Sequence, residues 1–549
     1  MSCARDLLEI VDGRVQTRNV RPEESQMAQL ITAHVQVRPE ATAVQDEHGA
    51  SLTWQALDTR VNRWIDLLRG YDLEPHSRVA VLAGNRTPAL EILLACLHSG
   101  LIVVPINVQL TPPEVGHVLR DCGCQVVLAD EQRAATAREA VGLASIRPRL
   151  AAVFGHRPLA GLEAVEPLLE VARADEPASQ SSGAVMLYTG GSTGHPKGVV
   201  NRLFIPSAPI GHIEAMLARM RRALDIPTEG TALLVGPWYH AAPFMFSLLP
   251  WLSGCRLLVH QRFDAARTLH TIDAEQVATT HLVPTHLVRL LRLPPEIRSN
   301  FRGTSLHRVW HGGGPCPVEV KRQMIDWWGP VLWEYYGATE GGLAAVIDPQ
   351  SWLQRPGSVG RAVPPDGFLV ISPDRTPVPA GGEGTIYLRR DPERDFEYHN
   401  APEQTAAAHL GPGVFTYGDT GHLDEDGYLY LTGRVGDSII SGGVNIYPSE
   451  VEGILQEHPA VRDAVVFGIT DDEYGQQAVA FVELDPAVPQ DGRTTEILDQ
   501  FCRRRLAGYK VPRAYRFVRA IPRESTGKTR RHLLREQWLS GTASPSRRA

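Results

Sequence analysis

Three short, continuously apolar segments alternate with helical segments in the first quarter of the chain. They cover residues 79–82, 101–104 and 126–129, and helical periodicity fills the intervals between them. The first interval opens with Thr87 and Pro88, which suit an N-cap and a first helical residue. Strands that are apolar on both faces and separated by helices form parallel sheets with helices on both sides. The pattern therefore predicts an α/β fold of stacked, mostly parallel sheets with helices.

Apolar periodicity also predicts elements elsewhere in the chain. It indicates helices at residues 27–37 and 54–68 and strands at 184–188, 233–235 and 256–259. Two regions lack such periodicity. We expect residues 1–25 to be polar and irregular, and residues 131–180, which mix Ala, Arg and Glu with prolines, to form an irregular connection.

The length of 549 residues is too great for one ordinary domain. Beyond residue 355 glycine, proline and β-branched residues increase, and Asp426-Gly427 between apolar segments predicts a β-hairpin. Alternating helical and strand patterns then resume as a compact α+β unit. We therefore divide the chain into a large N-terminal domain, residues 1–435, that ends in a β-rich subdomain, and a small C-terminal domain, residues 436–549.

A loop rich in glycine and hydroxyl groups follows the predicted strand at 184–188. Residues 188–198 have the sequence YTGGSTGHPKG. Backbone N–H groups, the hydroxyls of Ser192 and Thr193 and the charge of Lys197 suit a phosphate group. The alternative for such a loop taken alone is a Gly/Ser surface turn. The loop matches neither the Walker P-loop nor the Rossmann fingerprint.

Five further strings follow in order. They are HGGGP at 311–315, YYGATE at 335–340, YGDTG at 417–421 with GR at 433–434, SGGVNIYPSE at 441–450, and PRESTGK at 522–528. Each alone has an ordinary alternative: a tight turn for HGGGP, a solvated charge for Glu340, turn chemistry for Asp419, an inert exposed side chain for Lys528. The carboxylate of Asp419 is nevertheless well suited to accept hydrogen bonds from two vicinal hydroxyls.

Together, across about 340 residues, these strings resemble the signatures of the adenylate-forming enzymes, the superfamily of acyl-CoA synthetases, stand-alone adenylation domains and luciferases. The resemblance covers roughly residues 30 to 537 and is strongest toward fatty-acid or aryl-acid CoA ligases. It implies that the small C-terminal domain is mobile against the large one. Two positions depart from the family pattern, because Gly190 replaces a serine of the phosphate loop and Gly436 replaces the Asp or Lys of the hinge.

The resemblance also implies roles for individual residues. The implied ATP and AMP contacts are Thr189, Gly191, Ser192, Thr193, Gly194, Gly312, Gly313, Gly314, Tyr336, Gly337, Asp419 and Arg434. The implied catalytic groups are Lys528, Lys197, Thr339 and Glu340, with Glu340 also holding Mg²⁺. Trp238, His240, Gly442 and Gly443 would border the acyl and CoA channel, and Gly436 would be the hinge.

The identity of the acid depends on four aromatic residues, Trp238, Phe244, Phe246 and Trp251. They line an apolar acyl pocket or belong to the ordinary core, and the sequence supports both alternatives equally. If they line a pocket, a bulky apolar acid is favoured over acetate or an amino acid.

Composition excludes several other classes of function. The net charge of −7 gives no reason to expect nucleic acid as a partner. The seven cysteines are scattered and odd in number, which fits a reducing compartment, and the most apolar region, residues 90–110, contains too many polar groups to span a membrane. We therefore expect a cytoplasmic protein without integral membrane association.

The resemblance implies an ATP-dependent acyl-CoA synthetase that uses Mg²⁺. A carboxylic acid would attack ATP to give acyl-AMP, and the thiol of CoA would then displace AMP. Three alternatives remain: a ligase that loads the thiol of a carrier protein, a specialised member that performs one half-reaction, and a non-catalytic nucleotide-binding relative.

Overall fold

The computed structural model describes residues 6–11, 14–19, 30–177, 179–189, 196–202, 204–435, 437, 439–441, 444–471, 474–523, 529 and 531–541. The strands up to the phosphate loop are β1 (Asp6–Val11), β2 (Arg14–Asn19), β3 (Thr42–Asp46), β4 (Ser51–Thr53), β5 (Arg78–Leu82), β6 (Ile102–Pro105), β7 (Val126–Ala129), β8 (Leu150–Val153), β9 (Glu163–Ala164), β10 (Ala184–Val185) and β11 (Leu187–Thr189). Those that follow are β12 (Lys197–Asn201), β13 (Thr231–Leu234), β14 (Arg256–Val259), β15 (Val277–Leu282), β16 (Arg308–His311), β17 (Leu332–Ala338), β18 (Gly342–Ile347), β19 (Ser358–Ala362), β20 (Gly367–Ile371), β21 (Gly384–Arg389), β22 (Phe396–Tyr398), β23 (His409–Gly411), β24 (Val414–Leu423) and β25 (Leu429–Arg434). The last are β26 (Ile439–Ser441), β27 (Val444–Ile446), β28 (Val461–Asp471), β29 (Gly475–Leu484) and β30 (Ala514–Val518).

The helices of the described residues lie between these strands. They are α1 (Ile31–Val37), α2 (Trp54–Arg69), α3 (Thr87–His98), α4 (Pro112–Cys122), α5 (Ala134–Ala144), α6 (Val165–Val171), α7 (Gly211–Leu224), α8 (Ala241–Leu252), α9 (Ala265–Ala274), α10 (Pro284–Leu291), α11 (Pro295–Asn300), α12 (Val318–Trp328), α13 (Pro349–Gln354), α14 (Pro402–Ala408), α15 (Pro448–Gln456), α16 (Gly492–Arg503) and α17 (Arg531–Leu539).

The predicted parallel sheet is present as six parallel strands in the order β10-β6-β5-β7-β8-β9. The strand predicted at 126–129 is confirmed at both ends, and the one predicted at 101–104 lies one residue later. Helix α3 begins one residue earlier than predicted, because Arg86 and not Thr87 is its N-cap. Helix ends are commonly uncertain by a residue when only cap residues mark them.

A second, larger sheet changes character along its length. Strands β17, β16, β15, β13, β14 and β3 are parallel neighbours, as expected for the continuation of an α/β fold. Strands β18, β19, β25, β24, β21 and β20 extend the sheet with antiparallel pairs, which form the predicted β-rich subdomain. The chain therefore combines a parallel and an antiparallel half in one sheet.

Helix α3 lies inside the protein rather than on its surface. Every residue from Ala89 to His98 is buried, and the apolar side chains among them pack in one cluster with residues of both sheets. A helix that is apolar on all sides is stable only where it is covered on all sides. It thus forms the layer at which the six-stranded sheet and the parallel half of the larger sheet meet.

The hairpin predicted at Asp426-Gly427 is confirmed between β24 and β25. Gly427 has φ +79°, a value that few residues other than glycine adopt without strain. The carboxylate of Asp424 accepts hydrogen bonds from the backbone N–H groups of Asp426 and Tyr428 and so closes the turn. This turn fixes the register that places β25 beside β24.

Three expectations about the fold are wrong. The strand predicted at 184–188 is divided, because β10 joins the six-stranded sheet whereas β11 pairs with β12. Residues 131–180 contain α5, β8, β9 and α6, so they are not an irregular connection. Residues 1–25 are not wholly irregular, since β1 and β2 pair as an antiparallel hairpin.

The two remaining sheets are smaller. Strands β11, β12 and β22 form an antiparallel sheet, and β26 to β30 form a sheet in the predicted C-terminal unit. None of the helices in the described part of the chain is both long and apolar enough to cross a membrane. The six described cysteines are all free thiols.

Candidate active site

The strands on either side of the predicted phosphate loop are paired. Thr189, at the end of β11, lies opposite Lys197, at the start of β12, in an antiparallel register. The intervening residues 190–195, and with them Gly191, Ser192, Thr193 and Gly194, lie outside the described residues. Thr189 and Lys197 themselves are half-buried, so the structure brings the two described ends of the loop side by side.

Helix α4 holds both ends of this loop in place. At the first end, the hydroxyl of Tyr188 donates a hydrogen bond of 2.6 Å to the Asp121 carboxylate. At the other end, the Nε2 atom of His117 lies 3.1 Å from the backbone oxygen of Pro196, to which it can donate. A Cβ at Gly198 would lie 2.3 Å from Cε of Met186 and 3.1 Å from the Tyr188 ring, so a larger residue would displace these side chains.

Tyr398 lies between two of the predicted catalytic groups. Its hydroxyl donates a hydrogen bond of 2.9 Å to Oε1 of Glu340, and the Nζ atom of Lys197 lies 5.2 Å from the centre of its ring. The pairing of β12 with β22, in which Val199 lies opposite Tyr398, brings these side chains together. Burial raises the pKa of Tyr398, and the charge of Glu340 adds to the effect, so the hydroxyl remains a donor.

Thr339 and Glu340 occupy a turn between β17 and β18. The register of this pair shifts between Tyr336 and Gly337, and such a bulge redirects the residues that follow it. A Cβ at Gly337 would lie 2.4 Å from the backbone oxygen of Gly342, so only glycine permits this approach. The bulge therefore explains why Glu340 leaves the sheet and reaches Tyr398.

Side chains from two other strands donate hydrogen bonds to the carboxylate of Asp419. Asp419 of β24 accepts a hydrogen bond of 2.7 Å from the hydroxyl of Tyr336 and one of 2.9 Å from Nε of Arg434. Asp419 and Arg434 are cross-strand partners in the β24–β25 hairpin. Each Asp419 oxygen thus uses one of its two lone pairs within the protein, which leaves acceptor capacity for the hydroxyls of a sugar.

Electrostatic interactions connect this carboxylate to Glu340. The charge of Asp419, and to a lesser extent that of Glu340, raises the pKa of the Arg434 guanidinium. Burial, reinforced by Asp419, raises the pKa of Tyr336 well above its ordinary value. Both donors therefore keep their protons, and Arg434 lies within electrostatic range of both acidic groups.

The glycines at 312–314 follow β16, as predicted. A Cβ at Gly312 would lie 2.6 Å from the ring of Tyr335, and Gly313 has φ +81°. Nothing lies within 4 Å of a Cβ built at Gly314. The first two glycines are thus required by packing and backbone conformation, whereas Gly314 is the one with open space beside it.

Trp238 and His240 occupy different surroundings. Trp238 is only 1% exposed, and its indole N–H donates a hydrogen bond of 2.8 Å to the backbone oxygen of Ala83. With Phe244 and Trp251 it lines a cavity of only about 10 Å³, room for about one water molecule. These contacts favour the core alternative for Trp238. His240 is half-buried at the N-terminus of α8, where its ring contacts Tyr239.

Four of the predicted site residues belong to the C-terminal unit. Gly436, Gly442, Gly443 and Lys528 all lie outside the described residues. Their roles as hinge, CoA-facing segment and catalytic lysine stay predictions.

The residues present fit a magnesium ion held mainly by a nucleotide. Mg²⁺ in such sites is bound by one or two carboxylates together with substrate phosphates. Glu340, whose Oε1 accepts a hydrogen bond from Tyr398, would supply one such carboxylate. The described residues contain no cluster of three or more His, Cys, Asp or Glu side chains that could hold a metal ion on its own.

Sequence reasoning missed the residues that support this site. Tyr398, Asp121 and His117 carry no sequence signal of their own, because single aromatic and polar residues on strands and helices are usually structural. Their contacts with residues 196, 188, 197 and 340 appear only once distant strands and helices are brought together.

Two family models match the chain. The one described as "AMP-binding enzyme" matches residues 31–392, and the one described as "AMP-binding enzyme C-terminal domain" matches residues 450–528. The first alone covers more than half of the chain.

Curated proteins and solved structures are similar over nearly the whole length. A fatty acid–[acyl-carrier-protein] ligase, ScoC of Streptomyces coeruleorubidus, is 29% identical over 95% of this chain and 98% of its own. A feruloyl-CoA synthase of an Amycolatopsis species is 33% identical over 89% of this chain and 94% of its own. The structure of o-succinylbenzoate-CoA synthetase (MenE) from Bacillus subtilis, in complex with its acyl-adenylate intermediate OSB-AMP, superimposes with a TM-score of 0.77, at 26% identity, over 92% of this chain and 98% of that one.

Proposed function

Because this chain belongs to the family of AMP-binding enzymes, we propose that it is an ATP-dependent acyl-CoA synthetase that works through an acyl-adenylate. One observation carries the assignment beyond the family. Tyr336 and Arg434 both donate hydrogen bonds to the Asp419 carboxylate, and Arg434 is in electrostatic range of Glu340. These contacts support the proposal, because a bound nucleotide requires an acceptor for its sugar and a carboxylate for its phosphate-bound cation close together, and we assign these roles to Asp419 and Glu340.

In the first half-reaction, an oxygen of the substrate carboxylate attacks the α-phosphorus of ATP. The bond from this phosphorus to the bridging oxygen breaks, and pyrophosphate leaves with the electron pair. Negative charge on the phosphoryl oxygens is stabilised by Lys197, Thr339 and Lys528 and by the hydroxyls of Ser192 and Thr193. When bound, Mg²⁺ at Glu340 would neutralise charge on the phosphates. Asp419 would hold the ribose so that the α-phosphorus is oriented toward the acid.

In the second half-reaction, the sulfur of CoA attacks the acyl carbonyl carbon. The bond to the phosphate oxygen breaks, AMP leaves, and the thiol proton is lost to solvent or to a base because the thiolate is the nucleophile. We propose that residues 436–549 rotate about Gly436 between the half-reactions. Lys528 would then withdraw from residues 1–435, and Gly442 and Gly443 would face the CoA channel beside His240.

We assign the substrate to the acids with a large apolar or aryl acyl group. The support comes from the curated relatives, whose names specify a fatty acid and a feruloyl group. The cavity beside Trp238 and Trp251 gives no support, since it is too small to admit an acyl group. We place the reaction in the cytoplasm, where the free thiols of the described cysteines remain reduced.

A carrier protein is the second candidate acceptor. The relative from Streptomyces coeruleorubidus is named as a ligase that uses an acyl carrier protein, and it is similar over 95% of this chain. In that case the first half-reaction is unchanged, and the thiol of a phosphopantetheine arm replaces that of CoA.

A panel of carboxylic acids tests the proposal. Fatty acids of increasing length, benzoates and cinnamates are incubated with ATP and the enzyme, first without and then with CoA or a carrier protein. Release of pyrophosphate with an acid, followed by AMP and acyl-CoA, is the expected result. Acyl transfer to the carrier protein but not to CoA would establish the second candidate. Absence of acid-dependent pyrophosphate exchange over the whole panel would contradict both.

A further inference from the structure

One tyrosine side chain contacts two oppositely charged groups of the candidate site. The hydroxyl of Tyr398 donates to Oε1 of Glu340, and the face of its ring lies against the ammonium group of Lys197. Neither contact uses a ligand. Tyr398 therefore organises both groups in the protein itself.

The position of Tyr398 follows from strand pairing. Lys197 and Val199 are two residues apart on β12, so their side chains lie on the same face. Val199 is paired with Tyr398 on β22, which makes Tyr398 a diagonal neighbour of Lys197. Two residues further along β12, the Asn201 amide donates to the backbone oxygen of Glu340. One face of β12 thus positions all three groups.

Two further contacts, with Thr405 and Phe396, hold the backbone and the ring of Tyr398. Its N–H donates a hydrogen bond of 3.0 Å to the hydroxyl of Thr405, and the ring of Phe396 packs against its own ring at 5.2 Å. Phe396 is buried in the core of the antiparallel subdomain. The tyrosine is consequently held by the scaffold and does not depend on substrate for its orientation.

Tyr398 contacts two opposite charges, Lys197 through its ring and Glu340 through its hydroxyl. A lysine and a glutamate that share a partly buried site gain Coulomb energy by forming an ion pair. The ion pairs found among the described residues include none between Lys197 and Glu340, although both contact the same tyrosine side chain. A direct pair would occupy the carboxylate needed for a cation and the ammonium group needed for a phosphate.

We propose that Tyr398 is a positioning residue for adenylation. Its hydroxyl orients Glu340 so that the second carboxylate oxygen faces a nucleotide-bound cation, and its ring keeps the ammonium group of Lys197 away from that carboxylate. Both charges then remain available to the triphosphate. The proposal rests on the proposed function, because the roles of Glu340 and Lys197 belong to it.

Two substitutions separate the two contacts. Tyr398→Phe removes the hydrogen bond to Glu340 and keeps the ring beside Lys197, whereas Tyr398→Leu removes both. Groups that orient a metal ligand typically change metal affinity by about 10- to 100-fold when they are removed. We expect Tyr398→Phe to weaken cation binding about tenfold and Tyr398→Leu to weaken it further and also to raise the KM for ATP.

Cation binding can be measured without turnover. Free Mn²⁺ is followed by electron paramagnetic resonance in the presence of the enzyme and α,β-methylene-ATP, which cannot be cleaved at the reacting bond. Tyr430→Phe is the matched control, since Tyr430 stacks on His422 in the hairpin β24–β25 and contacts neither Lys197 nor Glu340 among the described residues. Melting temperatures of all variants are compared.

The second measurement separates positioning from loss of structure. Thioester formation from synthetic acyl-AMP and CoA involves no pyrophosphate, so it should keep its wild-type rate in Tyr398→Phe while pyrophosphate exchange falls. An unchanged Mn²⁺ affinity in Tyr398→Phe, or an equal loss in both half-reactions, would overturn the proposal. If the wild type gives no exchange with any acid, the proposed function fails, and the Mn²⁺ measurement still decides the role of Tyr398.

Discussion

The Asp419 carboxylate has two protein donors, and the remaining lone pairs of its oxygens are what a ribose would use. Asp419→Asn conserves the size of the side chain but removes the charge that balances Arg434. Hydrogen bonds to charged groups are worth about 1.5–3 kcal/mol, so we expect kcat/KM for ATP to fall about 10- to 100-fold. Pyrophosphate exchange measured against ATP concentration checks this expectation.

Asp424→Asn is the control for that substitution. Asp424 also accepts two hydrogen bonds, but from backbone N–H groups of the hairpin turn. Its amide variant keeps an acceptor oxygen and should keep the wild-type KM. Equal ATP saturation in Asp419→Asn and Asp424→Asn would show that Asp419 does not contact the nucleotide.

A buried histidine, His281, makes the free energy of unfolding depend on pH. His281 is 3% exposed, its Nε2 atom is 2.9 Å from the hydroxyl of Tyr335, and Phe246 stacks on it. Burial lowers its pKa from 6.5 to about 3. Because the folded-state pKa is depressed, the unfolded chain binds the proton first as the pH falls. The stabilisation is complete above pH 6.5 and is lost progressively between pH 6.5 and 3.

The loss amounts to about 2 kcal/mol of unfolding free energy between pH 7.5 and pH 5 for this one residue. His281→Gln does not titrate in this range, so the variant should be less stable than the wild type at pH 7.5 and should show a smaller decrease toward pH 5. Urea denaturation at the two pH values measures both slopes. Identical slopes would mean that His281 is protonated in the folded protein.

At the level of elements, α4 connects the ends of the phosphate loop to the rest of the fold. Asp121→Ala releases the hydroxyl of Tyr188 and also the side chain of Asn400, which donates to the same carboxylate. The loop would then have to be ordered by the nucleotide itself. We expect pyrophosphate exchange to fall about tenfold, equivalent to about 1.4 kcal/mol, with little change in thioester formation from acyl-AMP.

Arg120→Ala provides a matched control on the same helix. The Arg120 side chain points away from the loop and donates to the backbone oxygens of Leu143 and Ala144 at the end of α5. Its loss weakens helix packing without touching Tyr188 or Pro196. If both variants reduce exchange to the same extent, α4 acts through general stability and not through the loop.

The elements that the sequence predicted well are those set by local patterning. Strand β7 and helix α2 are bounded by changes in apolar periodicity and were predicted within a residue. Helix α5 was missed because its buried face consists of Ala134, Ala137, Ala140 and Ala144, small side chains that give a weak apolar signal. The break at Met186 could not be predicted, since it depends on distant partners: Val185 pairs with Val103 and Leu187 with Val199.

The same distinction applies to the candidate site. Asp419, Arg434 and Tyr336 lie in strings that resemble signatures of the adenylate-forming enzymes, and this resemblance indicated them. Tyr398 lies in a strand where a tyrosine usually serves the core. Its contact with Lys197 exists only because β12 and β22 pair, and nothing local predicts that pairing.

For the whole molecule, two different sheets position the residues of the candidate site. Strand β17, the last strand of the parallel half of the large sheet, and strands β24 and β25 of its antiparallel half bring Tyr336, Asp419 and Arg434 together. The three-stranded sheet pairs the strands of Lys197 and Tyr398, and Tyr398 contacts both Lys197 and Glu340. A nucleotide in this region would contact both sheets, so its binding should stabilise their mutual arrangement.

The proposed rotation of the small domain gives the last prediction, because a contact of Arg292 joins residues 1–435 to residues 436–549 in this arrangement. At the end of α10, the guanidinium of Arg292 donates to the backbone oxygens of Val461, at 3.1 Å, and Arg462. Two such bonds are worth about 1–3 kcal/mol. If the small domain rotates as proposed, they would exist in only one of its two orientations, so Arg292→Ala should slow the half-reaction that uses this orientation by about fivefold or more and spare the other. Pyrophosphate exchange and thioester formation from acyl-AMP are compared with those of Arg289→Ala, a control on the same helix. A contact made in only one orientation of the small domain must shift the equilibrium between the two orientations when it is removed. Equal effects on both half-reactions would therefore indicate that the Arg292 contact does not distinguish the orientations.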